Sequence, residues 1–184
     1  MTALPVAWLL ARAAGLVAFG ILTASVWLGL SMSTRLVPPK QRPRLLGWHR
    51  TLAWTGLAMI GLHVVALLAD PTLHFGLASV LVPFASTWRP AAVAAGVVAG
   101  WLALALAASF RMRKLIGQKG WRRLHYASFG AFLLALCHAL ASGTDLAGMG
   151  GPIVAVVAGG PVLFGSLLRI LGPLKPRRPA AAAS

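Results

Sequence analysis

Five long apolar stretches, separated by short breaks, make up most of the chain. They cover roughly residues 5–31, 48–69, 90–110, 122–142 and 152–171. The hydrocarbon core of a bilayer is about 30 Å thick and needs about 20 apolar residues per helix, a length that each stretch reaches. The breaks contain the helix-ending residues proline and glycine. The pattern predicts an all-α integral membrane protein, a bundle of five transmembrane helices forming a single domain over residues 1–174.

The composition favours a bilayer as the solvent of this chain. Of its 184 residues 59% are hydrophobic and 10% are charged, and its only carboxylates are Asp70 and Asp145. A soluble surface carries both signs of charge. The 17 Lys and Arg residues give a net charge of +15 but cluster at the ends of apolar stretches, which argues against a nucleic-acid-binding face. Cys137 is the only cysteine, so no intrachain disulfide and no Cys-rich metal site is expected.

The positive charges predict the orientation, because Lys and Arg near helix ends are retained on the cytoplasmic side. They fall between stretches one and two, between three and four, and after five, whereas the opposite side has only Arg12 and Arg89. We therefore expect a multi-pass protein of the cytoplasmic (cell inner) membrane, with its N-terminus outside and its C-terminus cytoplasmic. Residues 175–184 are expected to be a disordered, basic and Ala-rich cytoplasmic tail.

Four of the five histidines lie in two of the predicted spans. His49 and His63 are 14 residues apart in the second, and His125 and His138 are 13 apart in the fourth. An ionisable residue inside a membrane is costly, which indicates function. At 1.5 Å per residue, the members of each span's pair are about 20 Å apart. Because both spans run from inside to outside, His49 is expected opposite His125 near the cytoplasm, and His63 opposite His138 near the outside.

Two imidazoles facing each other at one depth, twice over, suit two stacked haems with bis-histidine ligation. Fourteen residues bring His49 and His63 within about 40° of one face, whereas thirteen leave the other two histidines some 140° out of register. That misfit requires a bend or local unwinding, expected at Gly130, or ligation from an oblique angle. Gly56, midway between His49 and His63, is expected to leave room for the porphyrins.

Three alternatives bear on this interpretation. Zinc or copper needs several ligands converging within a few ångströms, which histidines about 20 Å apart on each helix do not supply. A haem-free transporter or assembly protein that uses its histidines for proton relay is the main rival. Such a transporter tends to show internal symmetry and broken helices, and neither is evident here. Binding of a single haem is the third alternative, which the misfit leaves open.

The sequence around the histidines resembles the ferric-reductase-like transmembrane family, the haem domain of ferric reductases and NADPH oxidases. The resemblance covers roughly residues 10–145. Its carriers are Gly47-Trp48-His49-Arg50 with His63, Val82-Pro83-Phe84 before Trp88-Arg89-Pro90, and Trp121-Arg122-Arg123-Leu124-His125 with His138 and Gly143-Thr144-Asp145. It implies that His49, His63, His125 and His138 are the axial ligands of two b haems. It is closest to short stand-alone bacterial members and to the haem subunit of the periplasmic methionine sulfoxide reductase system.

The resemblance also implies a function in electron transfer. Electrons would enter from a cytoplasmic reductase or a quinol and leave to an extracytoplasmic flavoprotein, a molybdoenzyme or ferric iron. Larger members of the family carry an FAD and NAD(P)H domain, whereas only about a dozen residues follow the last predicted span. We therefore expect an electron-transfer subunit of an oxidoreductase, with no catalytic residues of its own, that works with separate partners. A flavin or a quinone is a further cofactor in keeping with this expectation.

Four arginines are candidate partners of haem propionates, which accept charge-assisted hydrogen bonds. Arg50, Arg122 and Arg123 lie beside the inner histidines, and Arg89 lies on the sparsely basic outer side. The alternative for the inner three is a simple anchoring role under the positive-inside rule. His74, in the outer loop, is expected to be an interfacial residue, with shaping of an acceptor site as the functional alternative.

Overall fold

A computed structural model describes residues 6–34, 36–72, 74–143, 146 and 148–171, and within these ranges the regular structure is entirely helical. The all-α class is therefore confirmed, while the predicted tail at 175–184 lies outside the described residues. The helices are α1 (Val6–Ser33), α2 (Arg42–Ala69), α3 (Leu77–Leu81), α4 (Pro90–His125), α5 (Ala127–Ser142), α6 (Gly150–Val154) and α7 (Gly160–Leu171). A 3-10 turn, Pro39–Gln41, leads into α2, and a π-helical turn, Ala155–Gly159, joins α6 to α7.

Among the described residues, four helical segments are long and apolar enough to cross a membrane, which indicates a membrane protein. They are Val6–Ser33, Pro39–Ala69, Pro90–Ser142 and Gly150–Leu171. The third has 53 residues, about twice the length that one crossing needs, and it contains both the third and the fourth predicted spans. The count of five crossings and the orientation stay predictions.

The 53-residue segment folds back on itself. The Arg89 guanidinium donates to the carbonyl of Ala141, at the opposite end of the segment. Nearer the middle, the ring centroids of Phe110 and His125 are 6.3 Å apart. Contacts between residues so placed occur only if the two arms are antiparallel. The segment is therefore a helical hairpin.

The reversal of the hairpin lies at Gly117, whose φ of 70° and ψ of 167° suit glycine and strain other residues. It lies in the break predicted between the stretches 90–110 and 122–142. The basic residues on both sides of it are helical rather than in a loop, because Arg, Lys, Leu and Gln favour helices. The second arm runs from Gln118 through the end of α4 and on through α5. His125 is thus the last residue of α4, and Tyr126 separates it from α5.

The long helices form a ring. α1 packs along α2, α4 packs along α5, α1 also contacts α5, and α2 contacts α4. Phe19 of α1 stacks on Phe132 of α5 with ring centroids 6.0 Å apart. α7 packs on the outside of α1, where Gly165 lies against Leu30. In this arrangement α2 and α5 face each other across the ring.

The apolar core does not fill the space between α2 and α5. One cluster, built on Leu30, Phe132 and Val162, joins α1, α5 and α7, and a second, built on Phe75 and Val93, closes the end at which α2 meets α3. Neither of these clusters of described residues lies between the two facing helices. α2 itself buries only Gly56 and Ala66. The two histidine pairs, His49 with His125 and His63 with His138, lie between these facing segments.

Candidate functional site

Two pairs of imidazole rings face each other between α2 and the second arm of the hairpin. The ring centroids of His49 and His125 are 6.2 Å apart with an interplanar angle of 75°. Those of His63 and His138 are 6.3 Å apart with an angle of 78°. These are the two pairs that the matched depths predict. The two sites have nearly the same geometry. They are about 20 Å apart, which is the rise along α2 from His49 to His63.

The spacing within each pair matches that of two imidazoles bound to one metal. With metal–nitrogen bonds of about 2.0 Å, two imidazoles on opposite sides of a metal have centroids about 6.3 Å apart. Aromatic rings in direct edge-to-face contact also have centroids about 4.5–7 Å apart. The distance therefore fits haem ligation but does not distinguish it from simple ring contact. The hydrogen bonds of the rings carry more information.

Three of the four rings are fixed through Nδ1 to a backbone carbonyl of a neighbouring helix. The bonds run from His63 to Ala11 (2.7 Å), from His138 to Ala92 (2.8 Å) and from His49 to Ser25 (2.8 Å). A carbonyl oxygen only accepts, so Nδ1 carries the proton in each ring. Nε2 then holds the lone pair and is the nitrogen available to a ligand between the paired rings. This is the usual orientation of a metal-binding histidine.

The same three rings are each packed against a glycine of the helix that supplies the carbonyl. A Cβ atom built on that glycine would come close to the ring. The distances are 2.6 Å from Gly96 to Nδ1 of His138, 2.9 Å from Gly15 to Nδ1 of His63 and 3.5 Å from Gly29 to Cε1 of His49. The first two are shorter than real side chains tolerate, so these rings occupy the volume that any other residue would need.

Each of these glycines lies four residues after the carbonyl that the histidine uses. In a helix the Cβ atom tilts toward the N-terminus, so the side chain of one residue covers the carbonyl one turn earlier. A glycine leaves that carbonyl uncovered for a second hydrogen bond. We call this combination, a glycine with the carbonyl four residues before it, a glycine seat. Gly15, Gly29 and Gly96 form the three seats.

His125 lacks such a seat. Its Nδ1 is buried and has no hydrogen-bond partner among the described residues. The ring is held instead by stacking on Trp121, with centroids 5.0 Å apart at 23°, and by an edge contact with Phe110. Counting 13 residues along α4 from Gly96, as His125 lies 13 before His138, leads to Ser109, a buried serine whose Oγ donates to the carbonyl of Leu106 at 2.6 Å. By this count along the sequence, Ser109 corresponds to the missing fourth seat.

The rotational misfit between His125 and His138 is relieved near Tyr126. The amide of Tyr126 donates to the carbonyl of Arg123, and the amide of Phe129 donates to that of Tyr126, at 3.2 and 3.1 Å. These are 3-10 bonds, which turn the chain by about 120° per residue instead of 100°. Such overwinding acts in the direction that brings thirteen residues closer to four full turns. The predicted position, Gly130, is wrong because that residue lies within regular α5.

Comparison with family models, curated proteins and solved structures finds no match to this chain. The resemblance to the ferric-reductase-like family therefore stays a prediction. The function has to be argued from the arrangement of the site itself.

Gly56 does not have the position that the sequence predicts for it. It is buried against α1, where a Cβ atom would lie 2.6 Å from Cγ and Cδ2 of Leu22. The histidines lean toward α1 to reach their carbonyls, so the face of α2 between them is a helix-packing face. Gly56 therefore brings two helices together rather than making room for a porphyrin.

The candidate propionate ligands lie at the two ends of the helices. Arg89 has a left-handed backbone (φ 41°) at the start of α4, and its guanidinium donates to the end of α5, one turn beyond His138. Arg50, Arg122 and Arg123 are exposed. Arg42, which the sequence reasoning did not single out, has a buried Nε without a hydrogen-bond partner among the described residues. Their roles toward a propionate stay predictions.

The other residues of interest take no part in the pairs. His74 is exposed, and its Nδ1 donates to the carbonyl of Thr72 at 3.2 Å. Thr144 and Asp145 lie outside the described residues. Within the described part of the chain, no three His, Cys, Asp or Glu side chains converge into a metal-binding group. A haem iron needs only two protein nitrogens, because the porphyrin supplies the remaining ones.

The three glycines were missed by the sequence reasoning, although the sequence contains a signal for two of them. Gly15 and Gly29 are 14 residues apart in the first span, as His49 and His63 are in the second. Because consecutive spans joined by a short loop are antiparallel, each glycine falls opposite one histidine. Matched spacings of glycine and histidine on neighbouring spans would have identified them.

Proposed function

We propose that this protein is a di-haem b-type cytochrome subunit of a membrane oxidoreductase, with one haem between His49 and His125 and one between His63 and His138. It carries electrons across the cytoplasmic membrane from a cytoplasmic or quinol donor to an extracytoplasmic acceptor. Both arms of the helical hairpin cross the membrane in this proposal, which makes five crossings. The basic ends face the cytoplasm under the positive-inside rule.

The observation that carries the proposal is the hydrogen bonding of His63 and His138. Both rings donate Nδ1–H to a carbonyl, at 2.7 and 2.8 Å. Each therefore offers an Nε2 lone pair to the space between them. Two lone pairs facing each other in a membrane interior repel unless a positive centre lies between them. A metal ion supplies that centre, and a porphyrin-bound iron is satisfied by two protein ligands.

The residues of the chain contribute position and surroundings to the electron transfer. Bound haem supplies a reversible one-electron oxidation and reduction of its iron. The carbonyls of Ala11 and Ala92 hold the outer imidazoles in one tautomer and orientation, so little rearranges when the charge changes. α2 sets the distance between the two sites at about 20 Å between histidine α-carbons. Two haem sites at this distance span most of the hydrocarbon core of the bilayer.

The proposed partners follow from what the described residues lack. The site contains no arrangement for hydride transfer, and the electrons are therefore expected from a quinol or a separate reductase. The acceptor is an extracytoplasmic flavoprotein, a molybdoenzyme or ferric iron. Trp88, Arg89 and the exposed His74 lie in the segment that connects α2 to α4, where we expect such an acceptor to dock.

The rival function, a haem-free transporter or assembly protein with a proton relay, has one observation in its favour. A carbonyl bond at Nδ1 satisfies a histidine with or without a metal. A relay, however, needs each imidazole to exchange protons with a neighbour, and the carbonyls at Ala11, Ala92 and Ser25 only accept. The haem proposal uses both nitrogens of these rings and is the better supported.

The test is a dithionite-reduced minus oxidised absorption spectrum of the purified full-length protein, with the haem-to-protein ratio. We expect a b-type spectrum at about two haems per chain. His63→Ala and His138→Ala should each remove one haem, and His49→Ala and His125→Ala should each remove the other. His74→Ala is the matched control, because this fifth histidine is exposed and unpaired with another ring, and it should retain both.

Two results would contradict the proposal. A colourless protein from cells that make ample haem would favour the proton-relay alternative. Loss of the same haem in all four variants would show a single site in place of two.

A further inference from the structure

The two histidine pairs differ in the hydrogen bonds that the Nδ1 atoms of their rings make. In the His63–His138 pair both Nδ1 atoms donate to carbonyls in glycine seats, at 2.7 and 2.8 Å. In the His49–His125 pair only His49 has a seat, shared between the carbonyl and the Oγ of Ser25 at 2.8 and 3.0 Å. Nδ1 of His125 is buried with no partner in the described part of the chain. The pairs are alike in spacing and unlike in hydrogen bonding.

That difference has a chemical consequence at a bound iron. A hydrogen bond from Nδ1–H to a carbonyl increases the electron density on the ring and makes Nε2 a stronger donor. A stronger donor stabilises the ferric state over the ferrous state, so it lowers the reduction potential. A ring without this bond donates less and leaves the potential higher. The pair with more glycine seats is therefore expected to have the lower reduction potential.

We propose that the glycine seats set the reduction potentials of the two sites apart, with the His63–His138 site lower than the His49–His125 site. Gly15 and Gly96 are positioning residues for the lower-potential site, because they uncover the carbonyls that His63 and His138 use. The inference rests on the proposed haem function and deepens it. The basic residues near the inner pair act in the same direction, because positive charge favours the reduced iron.

The first experiment is a redox titration of the full-length haem-loaded protein followed by its absorption spectrum. The wild type should titrate in two separate one-electron waves. His49→Ala, which leaves only the outer site, should retain the lower wave, and His63→Ala should retain the higher one. This arm decides the order of the potentials without any change to a seat.

The second experiment changes the seats. Gly96→Ala and Gly15→Ala place a Cβ atom 2.6 and 2.9 Å from an Nδ1 atom, so they push the ring from its carbonyl. Each should raise the potential of the lower wave and leave the higher wave in place. Gly100→Ala and Gly20→Ala are matched controls on the same helices, because a Cβ atom there meets nothing within 4 Å. Both waves should be unchanged in the controls.

The outcomes separate this inference from the proposed function. A protein without haem would overturn both. Two bound haems with equal potentials would overturn the inference alone. So would a reversed order, in which His49→Ala retains the higher wave and His63→Ala retains the lower one. Retention of the lower wave at its wild-type potential in Gly15→Ala and Gly96→Ala would also overturn it. A shift confined to the lower wave, absent from the controls, is the expected result.

Discussion

At the scale of single residues, each histidine needs a partner for its second nitrogen, and this chain supplies backbone where many proteins use carboxylates. It has only two carboxylates. Asp70 is occupied at the end of α2, where it accepts from the amide and hydroxyl of Thr72 at 2.9 and 2.8 Å. A helix carbonyl is normally bonded to the amide four residues later. A glycine at that later position lets it accept a second bond, so an uncharged acceptor becomes available inside the membrane.

Ser109 provides a test of this explanation at the one ring without a seat. By sequence count Ser109 corresponds to the seat that His125 lacks, and Ser109→Gly would uncover the carbonyl of Ala105, four residues before it. We expect Nδ1 of His125 to gain a hydrogen bond to that carbonyl. We expect the potential of the His49–His125 site to fall toward that of the other site, as measured by redox titration of the loaded protein.

The matched control for that substitution is Ser166→Gly. Ser166 also donates its Oγ to a carbonyl of its own helix, that of Val162 at 2.7 Å, but it lies on α7, which provides none of the seats. Both potentials should be unchanged in this variant. An unchanged or higher potential of the His49–His125 site in Ser109→Gly would show that the serine is not what denies His125 its bond.

At the scale of helices, α1 contributes two of the three seats although it contains no histidine. Its length and apolar character were predictable from the sequence, as were those of α2 and of the hairpin arms. Its role was not, because Gly15 and Gly29 matter only through the antiparallel packing of α1 on α2. An apolar stretch predicts that a helix crosses the membrane. It does not predict which face of the helix meets which neighbour.

Gly56 illustrates the same limit, and it yields a prediction. The sequence places Gly56 on the histidine face of α2 and predicts clearance for a porphyrin, whereas the structure places it against Leu22 of α1. Gly56→Ala should therefore overpack the α1–α2 contact and lower the free energy of unfolding by about 1–3 kcal/mol. Haem content should stay at the wild-type ratio. Thermal unfolding in detergent and the pyridine haemochrome absorbance measure the two quantities.

Gly61→Ala is the control on the same helix. Gly61 is exposed, and a Cβ atom there meets nothing within 4 Å. Its replacement should be neutral or should stabilise the helix by up to about 1 kcal/mol, since alanine favours helices over glycine. Loss of a haem in Gly56→Ala at unchanged stability would restore the porphyrin-clearance interpretation.

In the second arm of the hairpin, helical periodicity alone does not predict the local backbone structure. Spacing predicted the partners of His125 and His138 and also predicted that a regular helix cannot present both to α2. It placed the adjustment wrongly, at Gly130. The adjustment at Tyr126 depends on two 3-10 bonds, those of Tyr126 and Phe129, that no residue type in this segment demands. Short overwound turns of this kind are set by tertiary packing.

At the scale of the whole molecule, the proposed order of potentials places the higher-potential site at the basic end, which the positive-inside rule predicts to be cytoplasmic. Outward electron transfer between the sites is then uphill in the protein alone. In a cell whose interior is negative, outward movement of an electron is favourable. The membrane potential lowers its free energy by about 2.3 kcal/mol per 100 mV for a full crossing of the membrane. The membrane potential therefore offsets the difference between the sites, and a strong outer acceptor completes the transfer.

The proposed electron transfer across the membrane depends on the hairpin crossing it twice, which labelling can test. In a Cys137→Ala background, single cysteines are introduced as His74→Cys, Gln118→Cys and Met149→Cys, at exposed positions in three connecting segments. With two crossings, residues 74 and 149 lie on one side and residue 118 on the other. A membrane-impermeant maleimide should then label the first and third variants in intact cells, and Gln118→Cys only in inverted vesicles. Labelling of His74→Cys and Met149→Cys from opposite sides would mean a single crossing, and the paired histidines would then not span the bilayer.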